Sequence, residues 1–326
     1  MKITISVRRR TAGIALCLGA LAAMPSLSQA AEPPVRIIVG YSPGNSGDSL
    51  ARLLAQKMSE SLNRAVIVEN KVGAGSRIAA QDLKNAAPDG NTMMIGTFSV
   101  MAVFPMIFKK STYTLADFQP VAHIANSNIV LAAPINAPYK TLAEYAAWVK
   151  ANPTHAQFGN EAAGSPAHLL GIEFGRKIGV DMTFVPYQGT GQLISDLMGN
   201  QIPLAALALP SVLPLHQSGR LRILAVASEQ RTPNAPDLPT VEESGYDLAL
   251  NSMYGAWMPL KTPKAKVDRM SKALVDAIAM PDVQAKMRLL GLDPTGTGRE
   301  EFMRISDQSQ KVWAKIVKDS GFSIDQ

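Results

Sequence analysis

The sequence predicts an α/β protein of two units, each a mostly parallel sheet with helices on its faces. Three observations predict it. Short apolar runs recur, each ending in a glycine-bearing loop and followed by a helical pattern. An order of strand, tyrosine, glycine-rich turn and helix start occurs twice, in "VGYSPGNSGDSL" and "VPYQGTGQLISDL". No low-complexity tract or long linker separates the halves, so the units should touch through crossing strands.

In the first unit, "VRIIV" (35–39), "AVIVE" (65–69) and "TMMIG" (92–96) read as short buried strands. Leu50, Leu53, Leu54, Met58 and Leu62 share one face of a helix starting near Asp48 or Ser49, with Asp48 as its expected cap. "VAHIA" (121–125) and "IVLAA" (129–133) read as further strands, with Asn126-Ser127-Asn128 as a crossing point. In the second unit, Thr141 and Glu144 form a capping box for a helix to about Asn152. A strand at 156–160, a helix from Ser165 to about Ile178 and a strand at 182–187 follow. Next come a helix from Gln192 and strands at 202–209 and 221–227. The C-terminal part reads as three helices, 263–279, 281–290 and 299–319, with the Pro and Gly of 291–298 separating the last two.

Residues 1–30 read as an export signal outside the fold. Lys2, Arg8, Arg9 and Arg10 precede the apolar run Gly13–Met24, and Ser28-Gln29-Ala30 offers small residues for cleavage near Ala30. The whole chain holds 32 Lys+Arg against 26 Asp+Glu. Four of those bases and no acid fall in residues 1–30, so the remainder is nearly balanced and carries no basic stripe for nucleic acid. The single cysteine, Cys17, lies in the signal; the mature chain is therefore expected to have no thiol nucleophile, cysteine metal site or disulfide. No later run is long and apolar enough to span a bilayer.

Gly47-Asp48-Ser49-Leu50 matches a serine-hydrolase block, but a serine nucleophile needs a histidine base and an orienting acid. The four histidines, His123, His155, His168 and His216, offer no Asp-x-x-His, and the lipase, zincin, Walker and dinucleotide motifs are absent. The expectation is no catalytic set, no cofactor and no metal. Instead, two helix N-termini at the carboxyl ends of strands, with a third at Gly164-Ser165, suit an anion clamped between the units.

These motifs fall in the order of a known family. "PGNSGD" with Ala51-Arg52, "VENKVGAG" (68–75), "AAPDGNT" (86–92), Gly96-Thr97, "HLLGIEF" (168–174), "VPYQGTG" (185–191) and "DLPTVEESGY" (237–246) together resemble the solute receptors of tripartite tricarboxylate transporters, the Bug family. The resemblance covers essentially the whole mature chain. It implies a two-lobed Venus-flytrap periplasmic binding protein, with a mixed, mostly parallel sheet in each lobe and crossover strands. Lobe 1 would comprise 31–133 and 255–326, and lobe 2 134–254. The implied function is a monomeric periplasmic receptor, not an enzyme. It would bind a small organic carboxylate in the interlobe cleft and pass it to membrane permease subunits. The alternatives are an exported hydrolase using Ser49 and a binding protein repurposed for signalling.

Carried over by position, the ligand-binding set is Pro43, Gly44, Asn45, Ser46, Asp48, Thr97 and Ser99 from the first lobe. From the second it is Ala163, Gly164, Ser165, His168 and Tyr187. His168 fits a ligand contact or a structural histidine at a helix start, and Tyr187 a ligand contact or a core residue. Arg77, in the loop after Gly75, fits a carboxylate clamp or a surface arginine. Pro203 and Leu207 stand where the family often carries Asp, which predicts a less polar wall and a ligand with an apolar or aromatic body.

Overall fold

The computed structural model describes residues 32–250 and 252–324. The expected signal, its cleavage near Ala30 and Cys17 lie outside the described residues. The strands are β1 Val35–Val39, β2 Val66–Asn70, β3 Thr92–Thr97, β4 Phe118–Ser127, β5 Ile129–Pro134, β6 Gln157–Asn160, β7 Thr183–Pro186, β8 Ala205–Ala208, β9 Leu221–Val226, β10 Ser252–Pro259 and β11 Asp293–Thr297. The principal helices are α1 Ser46–Leu62, α2 Arg77–Asn85, α3 Leu142–Ala151, α4 Pro166–Ile178, α5 Thr190–Met198, α6 Leu209–Gln217, α7 Lys264–Ile278, α8 Pro281–Leu289 and α9 Arg299–Ser320. A π turn, Ser99–Val103, runs into a short helix, Phe104–Ile107.

Two sheets form. The first has six strands in the order β11-β4-β10-β3-β1-β2, and the second five in the order β7-β6-β8-β5-β9. In the first, β1 is parallel to β2 and β3, whereas β10 is antiparallel to β3 and β4, and β11 to β4. In the second, β6 is parallel to β7 and β8, whereas β5 is antiparallel to β8 and β9. Each is mixed, as expected, with its parallel strands on one side. Antiparallel pairings equal or outnumber the parallel ones, however, so neither sheet is mostly parallel: the crossing strands and the C-terminal return enter antiparallel.

Alternation along the strands sends side chains to opposite faces. Ile37, Met93 and Ile95 meet Leu50, Leu54 and Met58 of α1 and Val267 and Leu274 of α7. Ile38, Met94 and Trp257 face the other way, onto Leu83 of α2 and Phe302 of α9. That second core continues into the other sheet, where Leu131 and Phe158 pack with Tyr145 of α3 and Phe174 of α4. Trp313 and Ile316, further along α9, belong to the same cluster, so this helix serves both sheets.

The chain changes sheet at Asn128, between β4 and β5, as the sequence predicts, and returns between β9 and β10. The Asp293 carboxylate on β11 accepts hydrogen bonds from Asn128, from Thr232 Oγ1 (2.7 Å) and from Asn234 Nδ2 (2.6 Å), tying both crossings to the first sheet. Residues 291–298 are therefore not just a separator between helices: β11 lies within them. Pro294 is tolerated because β11 is an edge strand.

Candidate functional site

The loop after β1 turns at Gly44, whose φ of +84° favours glycine. Asn45, not Asp48, caps α1: its Oδ1 accepts the Gly47 N–H at 2.9 Å, and Ser46 opens the helix. Asp48 sits in the first turn, 2% exposed. Its carboxylate accepts Gly44 N–H at 2.9 Å, Asn70 Nδ2 at 2.8 Å and Arg52 Nε at 3.0 Å, and it pairs with Arg52 Nη2 at 3.0 Å. Burial pushes this carboxyl up, but the hydrogen bonds from Arg52, Gly44 and Asn70 and the Arg52 charge outweigh it and hold the value down at about 2. Three hydrogen bonds and an ion pair thus engage both carboxylate oxygens. Asp48 therefore shapes the loop.

The motifs around Asp48, Arg52 and Asn70 thus form one brace. Asn70 Nδ2 also donates to the Tyr41 carbonyl at 2.9 Å, holding the β1 loop to the end of β2. With the loop so held, the Ser46 and Asp48 amides have no acceptor among the described residues. Ser46 is partly exposed, and Pro43, Gly44 and Asn45 are exposed.

Behind this helix start lies a cluster of hydroxyls. Gly47 rests on the Tyr41 ring: a Cβ there would be 2.4 Å from Tyr41 Cδ2. Tyr41 and Tyr254 have ring centroids 6.1 Å apart, and Tyr254 is the register partner of Thr97. The Tyr41 hydroxyl is shielded and faces Thr97 and Tyr254 without a hydrogen bond of good geometry; Tyr254 in turn faces Ser46 and Tyr41. Burial first, then the Tyr254 neighbour, holds Tyr41 well above the ordinary phenol value, and burial raises Tyr254, so both remain protonated donors. Ser99, 3% exposed, starts the π turn beyond Thr97. Tyr254 was not among the expected residues because β10 was not recognised as a strand. Tyr41 did carry a signal, because a tyrosine, Tyr41 or Tyr187, stands directly before the loop in each repeated segment.

In the second sheet, Asn160 at the end of β6, also unforeseen, organises the next loop. Its Oδ1 accepts Ala162 N–H at 2.8 Å and Ser165 Oγ at 3.0 Å, and its Nδ2 donates to Ala206 O at 2.9 Å. Ser165 caps α4, as expected, accepting His168 N–H at 3.2 Å. His168 Nδ1 accepts Gly164 N–H at 3.0 Å, which leaves the ring proton on Nε2. The ring is 2% exposed and lies 4.2 Å from Phe184 and 4.7 Å from Phe322, centroid to centroid. Burial lowers its pKa to about 4, so the imidazole is neutral. These contacts give the ring a structural role at the start of α4. Ala163 is exposed, and Gly164 faces Ile107 and Phe322. Tyr187 packs beside Gly159; burial and the neighbouring Asp196 push its hydroxyl up to about 12.

Arg77 is the first residue of α2 and not part of the preceding loop. Its Nε donates to Ala74 O at 2.8 Å, and its guanidinium lies 3.5 Å from the centre of the Phe108 ring. Leu207 is fully buried in the core of the second sheet beside Val130 and Val212, so it forms no wall of a cleft. Pro203 accepts the Tyr139 hydroxyl at its carbonyl, 2.7 Å away. The expectation of a less polar wall therefore loses its Leu207 support.

The structure brings the three loops of the first sheet together: Tyr41, Ser46, Thr97 and Tyr254 share one cluster, and Ser76 Oγ donates to Gly40 O at 2.9 Å. It likewise gathers Asn160, Gly164, Ser165 and His168. Among the described residues, no hydrogen bond or ion pair joins Pro43–Asp48 to Ala163–His168. Ser49, the hydrolase candidate, lies in α1 with its amide on Asn45 O at 2.9 Å, and no histidine bonds to it among the described residues. Those residues also hold no group of three metal-ligating side chains.

Two mixed sheets joined by crossing strands, with loops at the carboxyl ends of their parallel strands, define a two-lobed α/β binding protein. The solved structures agree. Periplasmic binding protein BugD is 31% identical, with a TM-score of 0.73, covering 90% of this chain and 99% of that one. An R. palustris protein solved with adipate is 28% identical, with a TM-score of 0.76 and coverage of 89% and 98%. MatC from Rhodopseudomonas palustris, solved with bound malate, is 26% identical, with a TM-score of 0.72 and coverage of 87% and 98%. The sequence profile of the tripartite tricarboxylate transporter family receptors matches residues 50–322, and the chain belongs to that family.

Proposed function

We propose that the protein is a periplasmic receptor that closes its two lobes on a small organic carboxylate and delivers it to the membrane permease of a tripartite transporter. In this reading residues 1–30 are removed on export, and 31–133 with 255–326 and 134–254 are the lobes that move. One observation carries it: a braced loop presents the N-terminus of α1 beside the hydroxyls of Ser46, Thr97, Tyr41 and Tyr254. The Ser46 and Asp48 amides, which have no acceptor among the described residues, are donors that suit an anion, reinforced by the helix dipole. The nearby cations are engaged elsewhere, Arg52 with Asp48 and Arg77 with Ala74 and Phe108. Recognition would thus rest on N–H and O–H groups and not on an arginine clamp. The relatives solved with adipate and malate support this chemistry. Because Asp48 is matched by Arg52, its charge presents less of a barrier to an acid group at the loop.

Calorimetry of the mature protein with adipate, malate and phthalate tests the reading. Saturable binding of at least one acid, weakened about five- to tenfold by Tyr254→Phe, is expected from the loss of one hydrogen bond to a charged group. Heats that never saturate with any carboxylate, or a Tyr254→Phe protein that binds as tightly as wild type, would refute it. Ester turnover abolished by Ser49→Ala would favour the hydrolase.

A further inference from the structure

Residues 321–324, after α9, fold back onto the protein. Gly321, at a φ of +63° that favours glycine, ends the helix and turns the chain. Ile324 then pairs with Phe108 in a parallel bridge. Its N–H donates to Ile107 O at 2.9 Å, and its carbonyl accepts Lys109 N–H at 3.2 Å. This fastens 321–324 to the segment that follows β3 and the π turn. Between these two anchors Phe322, half-buried, meets the loop of the second sheet. Its ring lies edge to face with His168, 4.7 Å between centroids, and its Cε1 would be 3.4 Å from a Cβ on Gly164. Ile107 borders the same glycine, 3.7 Å from that Cβ position.

Phe322 therefore touches both partners of one hydrogen bond, from Gly164 N–H to His168 Nδ1. With Ala162 N–H held on Asn160 Oδ1, that bond fixes the chain on both sides of Ala163. Ala163 is exposed, and its N–H has no acceptor among the described residues, so it is a donor this loop can offer. Shielding strengthens a hydrogen bond, and water admitted to either partner competes with it. Phe184 and Phe322 are the rings nearest the imidazole, and Phe322 comes from the end of the chain and not from the second sheet.

We propose that Phe322 is a positioning residue of the candidate site: anchored on the segment after β3, it shields the bond between Gly164 and His168 and so holds the Ala163 N–H in place for the ligand. This rests on the receptor reading, in which the loop meets a carboxylate. Phe322 itself does not touch the ligand; it acts through His168 and Gly164.

The test compares wild type, Phe322→Ala and Phe322→Tyr as ¹⁵N-labelled mature proteins. Because Phe322 is half-buried beyond the last helix, its truncation should leave the circular dichroism spectrum unchanged. In Phe322→Ala the Gly164 amide should exchange with solvent about tenfold faster. The His168 ring, its signal identified by loss in His168→Phe, should titrate above about 4, towards its ordinary 6.5. Calorimetry with adipate, malate and phthalate should show about three- to tenfold weaker binding of each acid that wild type binds. Phe322→Tyr keeps the ring and should bring all three readouts back towards wild type. The proposal is overturned if Phe322→Ala leaves Gly164 exchange and the His168 titration unchanged. It is equally overturned if both move while affinity stays within about twofold, since Phe322 would then serve stability alone. If wild type binds none of the acids, the receptor reading fails, and the exchange and titration readouts by themselves decide whether Phe322 positions the loop.

Discussion

Replacing Asp48 by Asn keeps the shape of the side chain and removes its charge. In the folded protein the carboxylate takes three hydrogen bonds, from Gly44, Asn70 and Arg52, and pairs with the Arg52 charge. Its pKa falls from an ordinary 3.8 to about 2, which at 1.36 kcal/mol per pH unit corresponds to about 2 kcal/mol of stability. Asn adds a second cost, because its NH₂ must face at least one of those donors, though Arg52, half exposed, can recover water. The expected loss is about 2–3 kcal/mol at pH 7, measured by urea denaturation followed by circular dichroism. The folded pKa is depressed, so the wild-type advantage is complete above pH 3.8 and is lost as pH falls through about 2. At pH 3 the gap between the two proteins should therefore shrink to roughly half. A deficit under about 0.5 kcal/mol at pH 7, or one of equal size at both pH values, would show that the brace does not hold the loop as described.

Gly47→Ala should cost about 1–3 kcal/mol in the same assay, because its Cβ would meet the Tyr41 ring at 2.4 Å. Gly189→Ala, with extended backbone and nothing within 4 Å, should be close to neutral, and the pair controls for a general effect of added bulk. His168 is held near 4, below its ordinary 6.5, so its contribution to stability is full above pH 6.5 and lost as pH falls through about 4. His168→Phe should lower the melting temperature at pH 7, since Gly164 N–H loses its acceptor, and should flatten the melting profile between pH 6.5 and 4. An unchanged slope over that window would count against a buried neutral imidazole. Asp293→Ala removes the acceptor shared by Asn128, Thr232 and Asn234, and hydrogen exchange at 128–129 and 232–234 should quicken while α1 stays protected. Exchange that stays slow at both crossings would mean that Asp293 does not tie them.

Much of the fold could be read from local pattern. Runs such as "VRIIV" and "LRILAV" are buried on both faces, and the capping residues Thr141 and Ser165 act within three residues of themselves, so their signals are short-range. What escaped depends on distant partners. "SMYGAWMP" follows a long connector without periodicity and carries a glycine; it becomes β10 because β3 and β4 offer it edges on both sides. "DPTGT" looks like a turn and is a strand only through its pairing with β4. The candidate site divides the same way. The loop 43–46 announced itself by composition, whereas Tyr254 and Asn160 enter through strand register and through hydrogen bonds that no spacing in the chain reveals.

The sequence by itself determined the two α/β units, the crossing at Asn128, the glycine-rich turns and the family pattern, because each is written in neighbouring residues or in the order of short motifs. Only the tertiary structure decided what the motif residues do. Asp48 and His168 stood out as candidate ligand contacts, and the structure shows each bonded within its own loop, Asp48 to Gly44 and His168 to Gly164. The physical reason is that a buried carboxylate or imidazole must find its partners inside the protein. Which partners are within reach is settled by packing: Asn70 lies 22 residues from Asp48, and Phe322 lies 154 residues from His168. The groups left with donors to offer are the backbone amides and hydroxyls around them.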